Sequence, residues 1–349
     1  MISLGYLKEL FSTKKCSDRR ILEFSCFGIV DDCILKCKMC HKWKEDIFIK
    51  KKTKLPTLKD WENCVSSLRD ITDDSFQINF GGGEPFLNKE ILALVKLCKS
   101  KRFKTNIATN GYVIDETMAK KIADSGLDSI ILSLDSLNRD IHDYLRGVNG
   151  VFDRVMDAIK YLDKYCNGIY KGICCAIYEK NMDGILNLME WVDKDTRINS
   201  IYFMAAMQPN NTPLDLKWYK KNEFNFLWPK DSKKVSAIID ELIWHKKNNS
   251  KITNQICQLE AFKLYYQSPD RFVKNTKCNM DRAIHISSCG DIFLCYRHPL
   301  LGNIQIDNLA KVLDSEKADQ IRQDISSCKD NCHFLLNCFF KNDYPFRLN

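Results

Sequence analysis

Two hydrophobic periods alternate along the first two thirds of the chain. Short apolar runs, or side chains alternating every second residue, read as strands, and apolar residues at i, i+3, i+4 and i+7 read as amphipathic helices. Strands are expected over Ile21–Val30, Ser75–Phe80, Lys104–Thr109, Ser129–Leu134, Tyr170–Tyr178 and Ser200–Met207. Between them, helices are expected over Leu58–Ile71, Asn88–Lys101, Asp115–Ser125, Val151–Tyr165 and Met182–Val192. Leu58, Trp61, Val65 and Leu68 form the apolar stripe of the first helix, with Thr57 at its N-cap. Alternation of this kind builds a parallel sheet with helices outside it. Six strand-led units are counted, short of the eight that close a TIM barrel.

The pattern then changes. Gln208–Asp231 interleaves Pro209, Pro213 and Pro229 with Asn and Trp, and reads as a loop or lid. Helices follow over Val235–Lys247 and Cys257–Gln267, then a hairpin of Ala283–Ser287 and Ile292–Cys295 around Ser288-Cys289-Gly290-Asp291. A last helix is expected over Asn308–Ile325. The chain thus divides into a basic lead-in (1–20), the α/β unit (21–210), a helical linker or lid (211–270) and a small cysteine-rich module (271–349). The lead-in is too short for a separate peptide-binding domain.

Composition narrows the class. With 45% hydrophobic residues in 349, the chain can bury a large core. No apolar run approaches the ~18 residues of a membrane span, and Met1–Lys15 carries no sustained apolar stretch or cleavage site. The 17 cysteines therefore read as thiols and metal ligands in a reducing, cytoplasmic compartment rather than as disulfides. The +8 formal charge is spread over scattered lysines, and no nucleic-acid-binding pattern accompanies it. Neither a nucleic acid nor a membrane is expected as a partner.

The chemistry gathers at strand ends. The first strand runs into Cys33-Ile-Leu-Lys-Cys37-Lys-Met-Cys40. Thiolates suit zinc or iron–sulfur clusters, and a closed zinc site wants four ligands. Three thiols on one short loop suit a [4Fe–4S] cube whose fourth iron stays open. The second strand ends in Gly82-Gly83-Glu84-Pro85, the third in Asn110-Gly111, and the fourth in Ser133-Leu134-Asp135. Chemistry in such barrels sits at the C-terminal strand ends, so all four features share one rim. The glycines let backbone approach a ligand closely. Strand alternation puts Ser133 and Asp135 on one face.

These motifs resemble those of the radical S-adenosylmethionine (SAM) superfamily, whose fold is a partial (β/α)6 TIM barrel. Cys33, Cys37 and Cys40 match its CxxxCxxC signature; Met39 stands where the family usually has an aromatic residue, and could still cover an adenine edge. The resemblance implies that these cysteines hold a [4Fe–4S] cluster whose open iron binds the amino and carboxylate groups of SAM. Gly82, Gly83, Glu84 and Pro85 look like the motif that receives the SAM ammonium, with Asn110 on the same rim. Ser133 and Asp135 look like the pair that contacts ribose. His142-Asp-Tyr-Leu-Arg146-Gly147 resembles a segment in which Arg146 would pair bidentately with the SAM carboxylate.

The C-terminal cysteines resemble the auxiliary-cluster region called SPASM, or its shortened form, twitch. Cys278, the Gly290-x4-Cys295 spacing and Cys328-x3-Cys332-x5-Cys338 carry that likeness, although no further cysteine follows Cys338. One auxiliary [4Fe–4S] cluster near the barrel mouth is implied, held by Cys278, Cys295 and two of Cys328, Cys332 and Cys338. Four thiolates suit zinc equally. Most other cysteines read as small buried hydrophobes. Cys174 and Cys175 differ, because alternation points one of them into the barrel lumen, where a thiol could return a hydrogen atom to a substrate radical. The family implies reductive cleavage of SAM to a 5′-deoxyadenosyl radical that takes a hydrogen atom from substrate. A peptide or protein substrate is expected first, a small molecule such as an amino sugar second, with ferredoxin or flavodoxin as electron donor. A non-catalytic iron–sulfur or zinc scaffold is the competing class.

Overall fold

The structure is a computed structural model that describes residues 22–44, 54–209, 212–213, 215, 217–269, 278–328 and 334–337. Six parallel strands, β1 (Phe24–Gly28), β2 (Gln77–Gly81), β3 (Lys104–Thr109), β4 (Ser129–Ser133), β5 (Tyr170–Ile177) and β6 (Ser200–Ala205), lie in sequence order. Helices α1 (Leu58–Arg69), α2 (Ile91–Ser100), α3 (Glu116–Ala123), α4 (Arg139–Arg146), α5 (Val151–Tyr165) and α6 (Ile185–Lys194) fall between them. The sheet stays open, as a partial (β/α)6 barrel.

Each strand sorts its residues by face. In β4, Ile130 and Leu132 are fully buried against the helices, while Ser129, Ile131 and Ser133 face the lumen and are half-buried. Opposite β1, Trp61 of α1 stacks on Phe27 with ring centroids 5.6 Å apart. The helix starts follow local chemistry. Thr57 and Asp60 form a reciprocal capping box, and Asp115 and Asn138 cap α3 and α4.

Beyond the barrel come α7 (Ser232–Lys247) and α8 (Ile256–Gln267), then β7 (Ala283–Ile286), β8 (Asp291–Phe293) and β9 (Gly302–Asn303). The expected final helix is two: α9 (Leu309–Leu313) and α10 (Glu316–Ser327), separated where Ser315 caps the second through Ala318 N. A short α11 (Phe334–Asn337) follows. The cysteine-rich module is not a detached layer. β7 pairs parallel with β1 from Phe24↔Ala283 to Phe27↔Ile286, making one nine-stranded sheet in the order β6-β5-β4-β3-β2-β1-β7-β8-β9.

Strand direction then decides where each cysteine lies. β7 runs the same way as β1, so the hairpin tip Ser288–Gly290 sits beside the cysteine loop, and Ser288 Oγ bonds the Asp31 carboxylate. Cys278 precedes β7 and Cys295 follows the antiparallel β8, so both belong to the opposite end of the sheet. That corrects the expectation of an auxiliary site near the barrel mouth. Among the described residues no helix is long and apolar enough to cross a membrane.

Candidate active site

A pocket of about 640 Å³, including its open mouth, lies at the C-terminal rim. Cys33, Cys37, Cys40 and Met39 line it with Gly82, Gly83, Asn110, Ser133 and Arg146. Residues from five places in the sequence converge there. Leu35, Lys42, Trp43, Ala108 and Thr109 line it too, and sequence reasoning missed them. Trp43 had one available signal, its place just past the third cysteine; its indole N–H donates to Cys37 O at 3.1 Å.

The glycines also seat the chain on itself. A Cβ on Gly83 would stand 2.0 Å from Asp32 O and 2.5 Å from Asp31 O, and one on Gly82 would stand 2.2 Å from Val30 O. Both therefore let the cysteine loop lie directly on the end of β2, where Gly83 N donates to Val30 O (2.7 Å) and Glu84 N to Asp32 O (2.8 Å). Close approach is to the chain's own backbone.

Glu84 does not line the pocket. Its fully buried carboxylate accepts from Thr109 Oγ1 (2.7 Å), Asn110 N (2.9 Å) and Phe86 N (3.2 Å). Burial raises its pKa and those bonds oppose the rise. It thereby ties β2 to β3 and orients Asn110, whose Nδ2 points at Cys33 Sγ at 3.7 Å. Pro85 begins the buried one-turn helix Pro85–Leu87 behind the rim. Both stand behind the residues that line the pocket.

Asp135 is corrected in the same way. β4 ends at Ser133, so the alternation that would aim both side chains alike does not continue to Asp135. Asp135, 1% exposed, instead pairs through Oδ2 with Arg146 Nη2 at 2.7 Å. Its backbone is pinned by His142 Nδ1, which accepts from Asp135 N at 3.1 Å, and by Asn181 Nδ2, which donates to Asp135 O at 2.7 Å. Arg146 reaches the pocket from the end of α4. There Gly147 (φ 71°) presses on the cysteine loop, and Lys38 N donates to Leu145 O at 2.8 Å. Burial works against the Arg146 cation, but Asp135 and then Cys37 raise its pKa above the ordinary arginine value. Among the described residues its buried Nε has no hydrogen-bond partner. The expected bidentate grip on a carboxylate is thus reduced by the Asp135 pair, while a donor remains.

The two strand cysteines separate. Ser133, Cys174 and Tyr202 are in register across β4, β5 and β6, so Cys174 faces the lumen beside a pocket residue. Burial pushes its thiol up to about 12. Cys175, 0% exposed, is packed on the helix side with its Sγ 3.6 Å from Asp135 O. Of the two expected candidates, Cys174 is thus the one on the lumen face. Cys64, Cys98 and Cys166 are core thiols, as expected.

The donor set fits an iron–sulfur cube. Three thiols and one buried cation meet at one pocket, a donor set that suits a cube with thiolates on three of its irons. Burial first, offset by Arg146, pushes the Cys37 thiol up to about 11, so loading it releases a proton. In the C-terminal region, Cys295 is buried and its Sγ accepts from Arg297 N at 3.5 Å. Cys278 and Cys328 are half-buried. Cys332 and Cys338 lie outside the described residues.

Residues 28–192 match the Radical SAM superfamily, and residues 278–338 match SPASM, an iron–sulfur cluster-binding domain. The chain is similar to the Fe-coproporphyrin III synthase of Methanosarcina barkeri, 29% identical over 170 residues, 47% of this chain and 39% of that protein. It is also similar to the PqqA peptide cyclase of Granulibacter bethesdensis, 25% identical over 114 residues, 33% of this chain and 30% of that protein. These matches span less than half the length of the curated relatives. Among solved structures, Streptococcus suis SuiB bound to S-adenosylmethionine superposes with a TM-score of 0.64 at 18% identity, over 91% of this chain and 70% of that one. Native anSMEcpe with bound AdoMet gives 0.63 at 19%, over 90% and 88%. At those identities the likeness is one of fold.

Proposed function

From a chain that carries a radical SAM domain and a C-terminal SPASM iron–sulfur domain, we propose an enzyme that reductively cleaves SAM and abstracts a hydrogen atom from a peptide or protein substrate. One observation carries the reading. Cys33, Cys37 and Cys40 open onto the same pocket as Gly82, Gly83, Asn110, Ser133 and Arg146. A structural metal scaffold needs no such cavity.

When bound, the cluster and SAM supply the 5′-deoxyadenosyl radical. The chain's own residues hold and orient. Cys33, Cys37 and Cys40 hold the cluster; Asn110 Nδ2 faces the Cys33 sulfur; Ser133 and the free Arg146 Nε offer polar contacts inside the pocket. Asp135 fixes the Arg146 guanidinium, and Glu84 fixes Asn110. Cys278, Cys295 and two of Cys328, Cys332 and Cys338 would hold an auxiliary cluster. The peptide choice takes support from relatives whose names include a PqqA peptide cyclase and from a structural neighbour bound to the precursor peptide SuiA. Anaerobic reconstitution with SAM and dithionite should yield 5′-deoxyadenosine, and Cys→Ala at 33, 37 and 40 together should abolish it. Cleavage surviving the triple change would refute the assignment.

The lumen position of Cys174 favours a second reading, a redox-neutral reaction such as an epimerisation on a peptide or a small molecule. Cys174 would give its hydrogen atom to the substrate radical. In D₂O the product should gain one deuterium, and Cys174→Ala should stop product while SAM cleavage continues. Product without solvent deuterium would leave oxidation.

A further inference from the structure

A run of Tyr and Trp rings leaves the barrel beside Cys174 and enters the segment after β6. Tyr178, 5% exposed, follows β5, and the carbonyl of Ile177 before it accepts from Tyr266 Oη at 2.8 Å. Burial first, then Asp135, raises the Tyr178 phenol well above its ordinary value; Tyr266 and Cys174 add to the rise, and Arg146 opposes it. Tyr178 thus stands in reach of both the lumen thiol and Tyr266. From there ring centres step from Tyr266 to Trp228 at 5.2 Å, and from Trp228 to Tyr219 at 4.7 Å. Tyr265 lies alongside, 5.5 Å from Tyr266 and 5.1 Å from Trp228. Trp228 and Tyr219 are half-buried, and Lys220, Lys221 and Asn222, which follow Tyr219, are exposed, so the run ends at the surface.

Packing alone does not ask for these residue types. Edge-on and tilted ring contacts fill a core whatever the ring, and elsewhere phenylalanine does so, as in Phe27–Phe80 and Phe76–Phe103. Along this run every ring is Tyr or Trp, although that buries two phenols, which Ile177 O and Ala206 O must satisfy. Phenols and indoles give up an electron where a phenyl ring does not. Resting on the function proposed above, we propose that the run discharges radicals that fail to meet a substrate, and so spares the site from competing reactions. The 5′-deoxyadenosyl radical takes the hydrogen atom of the Cys174 thiol, and Tyr178 returns one to that sulfur. Tyr266, Trp228 and Tyr219 in turn each pass back one electron with one proton, so every group is restored by the next. A small thiol in solution supplies the last electron and proton, and two thiols so oxidised join as one disulfide.

The test uses the cluster-loaded protein and reads radicals rather than product. In pulse radiolysis, the azide radical oxidises tryptophan, and the indolyl radical should then convert to a tyrosyl radical in a fast phase independent of protein concentration. Trp228→Phe and Tyr266→Phe should lose that phase, while Trp244→Phe, outside the run, should keep it; urea midpoint and iron content check that each variant is folded and loaded. A wild type without the fast phase would overturn the proposal, as would its survival in both Trp228→Phe and Tyr266→Phe. With SAM and limiting dithionite but no substrate, rapid-freeze electron paramagnetic resonance should show a tyrosyl signal that Cys174→Ala and Tyr178→Phe both lose. Formation of 5′-deoxyadenosine in wild type with no such signal would also overturn it. If wild type makes no 5′-deoxyadenosine at all, the proposed function fails, while the radiolysis still decides whether the run carries an oxidising equivalent.

Discussion

Gly83→Ala should detach the cysteine loop from the sheet, and the protein contains its own control. Gly83 has no positive φ, so alanine is tolerated there as backbone. The added Cβ would nevertheless lie 2.0, 2.5 and 2.6 Å from Asp32 O, Asp31 O and Asp32 C, backbone atoms that cannot swing aside. Relief requires the loop to move away, which breaks Gly83 N to Val30 O and Glu84 N to Asp32 O. Two hydrogen bonds at about 0.5–1.5 kcal/mol each and overpacking at about 1–3 kcal/mol give a cost of about 2–6 kcal/mol. Gly81→Ala, two residues away at the end of β2, meets nothing within 4 Å and should be neutral or stabilising by up to about 1 kcal/mol. Urea unfolding and iron content after reconstitution measure both. Gly83→Ala should lose stability and retain little iron at the first cluster, while Gly81→Ala keeps both. Full iron loading with unchanged stability in Gly83→Ala would refute the view that this glycine exists to seat the loop.

Two further outcomes follow from the buried polar groups. Asp135→Asn strands the Arg146 cation and should cost about 3–5 kcal/mol, whereas Asp135→Leu/Arg146→Met together should cost less than either single change; additive losses in urea unfolding would sink this. His142 and His285 are held neutral, at about 3 and about 4, by burial (for His142 also by Arg146), against about 6.5 unfolded. The unfolded chain binds the extra protons, so their stabilising effect is complete above about pH 6.5 and declines as pH falls toward 4, by about 1.4 kcal/mol per unit for each histidine. Since both ring nitrogens of His285 lack hydrogen-bond partners among the described residues, His285→Phe should hold stability at neutral pH and flatten the acid limb by one proton; an unaltered limb in urea titrations would contradict it.

Sequence alone determined the elements and the rim. Periods of 2 and 3.6 are properties of single segments, so the six strands, five of the helices between them and the Thr57 cap were legible from neighbouring residues, whereas the helix Arg139–Arg146 was not. Parallel strands share a direction, so the cysteine loop and the ends of β2, β3 and β4 had to share a rim. What each side chain does there was decided only by folding. Asp135 meets Arg146 eleven positions on, and Glu84 meets Thr109 and Asn110, because a buried charge takes the nearest partner that satisfies it. The helix 308–325 broke because Ser315 can cap a new start, a choice that local periodicity does not record. Alternation showed that one of Cys174 and Cys175 must face the lumen, but only the register with Ser133 assigned it to Cys174. Nothing local to 283–286 announces that β7 pairs with β1, some 260 residues earlier. That long-range pairing puts Cys278 and Cys295 at one end of the sheet and the cysteine loop at the other, since strand direction, once fixed by the pairing, fixes which end each flanking residue occupies.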